Sequence, residues 1–192
     1  MPIGCLSTLP HIIAHMHPRR PGRVLDLGVG MGMYGAAIRQ WLDMGYAPSF
    51  KTFIHGVEGF ASYRNPCWEL YSEIEVRPIE QAVTAAQDRF YDAIILADVI
   101  EHFELAAGKL LISSCLDKLA PRGWFYVATP AVFMEQGAAY GNEFERHSSL
   151  WTQAHFEECV EVNKDRCSEF TVLQDGSADV FGNCMLTVAF QR

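Results

Sequence analysis

The run Val24-Leu25-Asp26-Leu27-Gly28-Val29-Gly30-Met31-Gly32 constrains this chain more than any other stretch. It reads as a short apolar strand that ends in an acid and breaks into alternating glycines. Glycine adopts positive φ without a Cβ clash and lets the main chain come close to a ligand. The helix expected from about Met33 brings unpaired N–H groups to the same place. Strand, glycine turn and helix N-terminus in that order describe a seat for a nucleoside cofactor, built largely from backbone.

The rest of the chain suits an enzyme of that kind. Its 192 residues, 49% hydrophobic and 20% charged, are expected to form one domain over 1–192 with a sizeable core. A net charge of −8 repels a phosphate backbone, so nucleic acid is not expected as a partner. Met1 to Leu9 lacks a basic flank followed by an apolar core, and no stretch approaches the roughly 18 apolar residues of a membrane span. No membrane association and a cytoplasmic location are the expectations. The cysteines, Cys5, Cys67, Cys115, Cys159, Cys167 and Cys184, form no CxxC pair and read as reduced, mostly buried thiols.

Strands are expected at Arg23 to Leu27, Thr52 to Glu58, Ile74 to Arg77, Tyr91 to Ala97, Trp124 to Thr129, Glu169 to Leu173 and Cys184 to Phe190. Helical patterns lie between most of them. Tyr34, Ala37, Ile38 and Trp41 recur at i, i+3, i+4, i+7, as do Ile112, Cys115, Leu116 and Leu119 before Pro121-Arg122-Gly123, which is expected to end that helix. Alternation of apolar strands with helices implies an α/β fold, doubly wound and Rossmann-like, with a seven-stranded, mostly parallel sheet. Asp175 to Asn183 leaves room only for a loop, so the last strand is expected to return antiparallel beside its predecessor.

These elements, taken in order, resemble the class I S-adenosylmethionine-dependent methyltransferases over nearly the whole chain. Val24 to Gly32 is similar to the family's first motif, His55-Gly56-Val57-Glu58 to its acidic second-strand end, Tyr91 to Phe103 to its fourth strand and turn, and Leu119 to Pro130 to its fifth. The resemblance implies S-adenosylmethionine as cofactor, with S-adenosylhomocysteine as product. It places Gly28, Gly30 and Gly32 along the methionine portion, Asp26 at the turn and the amino group, Glu58 on both ribose hydroxyls, and Ala97 and Asp98 in the cofactor's surroundings. A carboxylate can receive two O–H donors at once, which suits Glu58 to that role. The family's adenine-binding acid is not in its usual place, because the third strand is followed by Arg77-Pro78-Ile79-Glu80. Glu80 either substitutes for it or is a first-turn helix acid favoured by the dipole, and Ile79 is a candidate for the adenine face.

Gly30-Met31-Gly32-Met33-Tyr34-Gly35 also satisfies GxGxxG, so an NAD(P)-dependent oxidoreductase is the first alternative. Counted from Gly28, the turn glycine, the third fingerprint position is Met33, which argues against it. A non-catalytic cofactor-binding regulatory or scaffold subunit of a methyltransferase complex is the second.

Ligands of an open α/β sheet lie outside the carboxyl ends of its strands. That draws attention to Ala97-Asp98-Val99-Ile100-Glu101-His102, similar to a signature of methyltransferases that act on small molecules. If the turn is helical, Asp98, Glu101 and His102 share a face, and His102 is a candidate general base oriented by a carboxylate. Residues 130–150 read as a lid, with Tyr140, Glu143 and Arg146 as candidate acceptor contacts and His147 as a second candidate base. A surface loop pinned by a Glu–Arg pair is the competing reading. His11, His15 and His17 have no partner at a recognised ligand spacing, and no metal is expected; the N-terminal helix is expected to lie over the cofactor pocket. The expected activity is methyl transfer of the EC 2.1.1 type to a small-molecule or metabolite-linked acceptor.

Overall fold

The computed structural model describes residues 4–44, 49–179 and 182–192. Its strands are β1 (Arg23–Leu27), β2 (Phe53–Glu58), β3 (Glu73–Val76), β4 (Tyr91–Ala97), β5 (Leu119–Pro130), β6 (Glu169–Ala178) and β7 (Cys184–Gln191). They form one sheet in the order β3-β2-β1-β4-β5-β7-β6. The pairs β1–β2, β1–β4, β2–β3 and β4–β5 are parallel, and β7 runs antiparallel to both β5 and β6. The chain leaves β1 toward β2 on one side and places β4 on the other, so strand order reverses at the carboxyl end of β1. Crevices at such a point are where open α/β sheets bind ligands.

The pleat sends alternate side chains to opposite faces. Leu25, Leu27, Ile94, Leu96, Phe125 and Val127 pack with helices α3 (Ile79–Ala85), α4 (Leu105–Lys118) and α5 (Gln153–Val162). Val24, Ile54, Ala93, Ile95, Tyr126 and Ala128 pack with α1 (Leu9–Met16) and α2 (Met33–Trp41) on the other face. Each fully buried Ile, Leu or Phe contributes about 1.5–3 kcal/mol, so the two clusters anchor helices to both faces of the sheet.

Several boundaries differ from the sequence expectation. Helix α4 stops at Lys118, and β5 begins at Leu119, so Pro121-Arg122-Gly123 lies inside the strand region and not at a helix end. Arg122 takes a positive φ there, and the β4–β5 register shifts between Tyr91 and Ala93, which absorbs the irregularity as a bulge. Strand β6 continues to Ala178, well past Leu173, because two register shifts let a polar edge strand keep pairing with β7. The strand thus takes in Asp175 to Ala178, the first part of the expected loop. Trp41 is 49% exposed, and Leu42 takes the buried place expected of it.

The N-terminal helix packs Ile12, Ile13 and Met16 into the α2 side of the core, and the residues before it reach the carboxyl edge. No helix among the described residues is long and apolar enough to cross a membrane.

Candidate functional site

The turn from β1 to α2 is held open by main-chain geometry. Gly28, Gly30 and Gly32 adopt φ of +89°, +49° and +82°, a region that disfavours side chains. A Cβ on Gly28 would clash with Val99 Cγ2, so the turn touches the segment that follows β4. The Gly28 and Val29 amides donate to the Val57 carbonyl, which locks the turn to β2.

Glu58 ends β2 directly against this turn. Its Oε2 accepts from the Gly30 amide at 2.9 Å and its Oε1 from the Phe60 amide at 2.9 Å. The residue is 7% exposed, and burial raises its pKa while these amides pull it down. Asp26, on the α2 face of β1, accepts a 2.5 Å hydrogen bond from Tyr71 Oη, which itself accepts from the Gly35 amide. Burial pushes the Asp26 carboxyl up to about 7.

The segment between β2 and β3 supports the turn from outside. Trp68 Nε1 donates to the Gly30 carbonyl at 2.8 Å, and Asn65 Nδ2 reaches the same oxygen at 3.3 Å. Tyr71 and Asn65 belong to no sequence motif, and Trp68 reads from sequence only as a core or helix anchor. Asn65-Pro66 was the one available signal, a turn-initiating pair, but nothing local tells which loop its side chain supports.

At the end of β4 the chain bends sharply. Asp98 takes φ +54°, and so breaks the helical path on which Asp98, Glu101 and His102 would have shared a face. Aspartate tolerates this conformation better than most residues. Its Oδ2 accepts from the Cys5 amide at 2.5 Å, which brings the N-terminal segment over the crevice. Residues Ile100–His102 form a single 3₁₀ turn that points Glu101 inward, 4% exposed, with Thr129 Oγ1 donating to its Oε2 at 3.0 Å. Burial raises the pKa of both Asp98 and Glu101.

The segment after β5 folds back onto this turn as a strap. The Ser148 and Ser149 amides donate to the Glu101 carbonyl at 2.8 and 3.1 Å. That places His147 beside His102, with ring centroids 4.9 Å apart. His147 Nδ1 lies 2.7 Å from the Met134 carbonyl, and burial lowers the His102 pKa. Further along, Tyr63 Oη donates to Glu145 Oε1 at 2.7 Å, and Phe144 covers Gly59 just past Glu58. The strap thus reaches both the β2 end and the β4 end.

A family model described as a methyltransferase domain matches residues 7–163. The chain belongs to this methyltransferase-domain family. Among curated proteins none matches the sequence. Of solved structures, a SAM-dependent methyltransferase from Archaeoglobus fulgidus is similar at 12% identity and TM-score 0.69, over 97% of this chain and 94% of that one. The 1,6-didemethyltoxoflavin-N1-methyltransferase of Burkholderia thailandensis, with its substrate and S-adenosylhomocysteine bound, is similar at 16% identity and TM-score 0.65, over 95% and 76%. The N-terminal domain of EvdMO1, with S-adenosylhomocysteine bound, is similar at 15% identity and TM-score 0.65, over 98% and 82%. At these identities the structures establish a shared Rossmann-like methyltransferase fold. The oxidoreductase and scaffold alternatives gain nothing from either comparison.

In this methyltransferase the structure gathers most of the residues singled out from sequence. Gly28, Gly30, Gly32, Asp26, Glu58, Ala97 and Asp98 surround the strand-order reversal, and His102 meets His147 beside it. Other candidates lie apart. Ile79 is in the core with Ala82 and Val83, and Glu80 is an exposed first-turn residue of α3. Tyr140 is 65% exposed, and Glu143 pairs with Arg146 at 3.1 Å on the outer face of the strap. His11 and His17 are exposed, while His15 packs against Trp124 and Tyr126.

Proposed function

We propose that this chain transfers a methyl group from S-adenosylmethionine to a small-molecule or metabolite-linked acceptor. The observation that carries the reading is the Glu58 carboxylate bonded through one oxygen to the amide of Gly30, at the reversal of strand order. Each Glu58 oxygen spends one lone pair on a backbone amide and keeps another for a hydroxyl donor, which fits a ribose diol. The positive-φ glycines present main chain, with no side chain between it and an amino-acid tail. Asp26, held by Tyr71 beneath the turn, supplies a carboxyl group for an ammonium. The donor set therefore fits a nucleoside that carries an amino acid.

Bound there, S-adenosylmethionine supplies a sulfonium-activated methyl. The residues' part in an in-line displacement is to align the acceptor and exclude water. Asp98 and the Cys5 amide close one side of the crevice, and the strap closes the other through Phe144 on Gly59. The acceptor is assigned to the crevice beside Asp98 and the Glu101, His102 and His147 cluster, where a proton leaving an acceptor oxygen or nitrogen has basic groups to receive it. The exposed Glu143–Arg146 pair and Tyr140 are assigned to the outer rim, where they meet the remainder of a larger acceptor.

Calorimetry with S-adenosylhomocysteine tests the reading. Wild-type protein is expected to bind it, and Glu58→Ala to weaken binding by about tenfold or more, equivalent to about 1.4 kcal/mol. Folded wild-type protein that gives no heat with either S-adenosylmethionine or its product overturns the proposal. A thermal shift with NADH and none with S-adenosylhomocysteine would restore the oxidoreductase.

A further inference from the structure

We propose that Glu101, His102 and His147 form a binding site for one divalent transition-metal cation of the Mn²⁺, Co²⁺ or Zn²⁺ type. One potential ligand atom from each of the three residues lies within 4.8 Å of the others. Two imidazoles and one carboxylate make a mixed nitrogen and oxygen donor set that leaves coordination positions open, as in metal sites that act on a bound oxygen. The histidines that cluster in sequence, His11, His15 and His17, take no part in this set. The present cluster joins a turn after β4 to a residue more than forty positions later.

The donors are oriented before any cation arrives. His147 Nδ1 is 2.7 Å from the Met134 carbonyl, a contact that only an N–H can make favourable, so the lone pair resides on Nε2. Backbone-oriented imidazoles of this kind are a common support for a metal-bound nitrogen. The His147 main chain is itself anchored, through its amide to the Gln136 carbonyl at 3.0 Å. His102 lies between two carbonyl oxygens, with Nδ1 3.2 Å from Arg146 O and Nε2 3.2 Å from Asp98 O. A neutral imidazole has a single N–H, so one of these nitrogens turns a lone pair toward an oxygen. A cation between the groups converts that opposition into attraction.

Glu101 makes the same demand. It is 4% exposed, and its side-chain partner is the neutral Thr129 hydroxyl. Among the described residues no Lys or Arg forms an ion pair with it. A carboxylate so placed is costly unless a proton or a cation completes it, and two imidazoles within ligand distance favour the cation. The Ser148 and Ser149 amides bonded to the Glu101 carbonyl keep the strap, and with it His147, at this distance.

The site lies beside Asp98 and Val99, and Val99 touches the glycine turn, which puts the cluster next to the crevice where the acceptor is assigned. The ligand chemistry selects an acceptor with a hydroxyl and a neighbouring second oxygen, able to chelate. This role rests on the proposed methyl transfer, whereas cation binding itself does not.

Full-length protein stripped with a chelator and titrated with Co²⁺, followed by visible absorption, and with Mn²⁺, followed by loss of the free-ion EPR signal, tests the site. One equivalent is expected to bind. Glu101→Gln and His147→Ala are each expected to weaken it by about tenfold or more, while His11→Ala, on an exposed histidine elsewhere, leaves it unchanged. Half-buried His147 in the strap gives a variant whose fold is checked by melting, so a misfolded Glu101→Gln does not blunt the test. Protein that still binds S-adenosylhomocysteine but takes up neither cation overturns the metal site and leaves the proposed function standing. Uptake unaffected by both variants overturns it equally, because the ion is then elsewhere. Cation uptake by protein that ignores S-adenosylhomocysteine keeps the site and sinks the function.

Discussion

The amino and carboxyl edges of the same sheet treat buried charge in opposite ways. At the amino edge Arg39 and Asp43, with side chains 6% and 1% exposed, pair at 2.6 Å. Arg39 also donates to the Thr52 and Leu70 carbonyls, and Asp43 Oδ1 accepts from both the amide and hydroxyl of Thr52. Asp92 is likewise spent on the Gly22 and Arg23 amides and the Arg23 side chain, although a cleft of about 970 Å³ opens beside it. At the carboxyl edge Asp26, Glu58 and Glu101 are buried, and among the described residues none of them pairs with a Lys or Arg. Neutral donors hold them instead. The amino edge completes its charges within the protein, which serves stability; the carboxyl edge leaves its acids without a cationic partner, which is what the proposed binding there requires.

The largest effect expected from this contrast is at Arg39. Arg39→Ala strands the Asp43 carboxylate in the interior, and breaking a buried pair from one side costs about 3–5 kcal/mol. Urea unfolding is expected to show that loss, with S-adenosylhomocysteine affinity of the folded fraction little changed. A cost below about 1 kcal/mol would place the pair among surface-like bridges and erase the contrast.

Local pattern revealed the frame of this molecule better than its support. β1 and β4 run over the expected residues because central parallel strands are continuous apolar runs with sharp ends. The glycine turn and Glu58 were legible because their spacing is local to one βαβ unit. β5 and β6 were longer than expected, since an irregular strand start and a polar edge strand lack the apolar alternation that marks a strand. Tyr71 beneath Asp26, Trp68 on Gly30 and His147 beside His102 are contacts across 45, 38 and 45 positions respectively, and no periodicity encodes them. The helical face expected of Asp98, Glu101 and His102 failed at one dihedral angle, the positive φ of Asp98.

An intermediate effect is expected at Asp26. Its folded pKa of about 7 exceeds the ordinary 3.8, so between those values the folded protein binds more protons than the unfolded chain. Its contribution to stability is therefore complete below about 4 and is lost as pH rises through 7. Asp26→Asn, which keeps the shape without the charge, is expected to flatten that part of the ligand-free profile and to be more stable than wild type above neutrality, by on the order of 2 kcal/mol. The same variant is expected to bind S-adenosylhomocysteine less tightly. Equal loss of stability at every pH would show that Asp26 is structural and that the carboxyl edge holds no charge in reserve.

The smallest effect sharpens the comparison from the other edge. His15, near the end of α1, contacts Tyr126 Oη through Nδ1 at 3.1 Å and packs edge-on against Trp124. Burial, then the nearby Arg19 charge, lower its pKa to about 4, with Glu169 acting weakly in the opposite sense. Between that value and 6.5 the unfolded chain binds the extra proton, so this group's contribution is present above 6.5 and disappears as pH falls to 4. NMR titration of the His15 ring is expected to show no protonation at pH 6, and His15→Phe to reduce the acid sensitivity of folding. The effect is expected to stay under about 1 kcal/mol because the ring remains partly solvated. A ring that titrates near 6.5 would mean water reaches the aromatic floor beneath α1. The amino edge would then be open as well, and the distinction between the edges would rest on charge pairing alone.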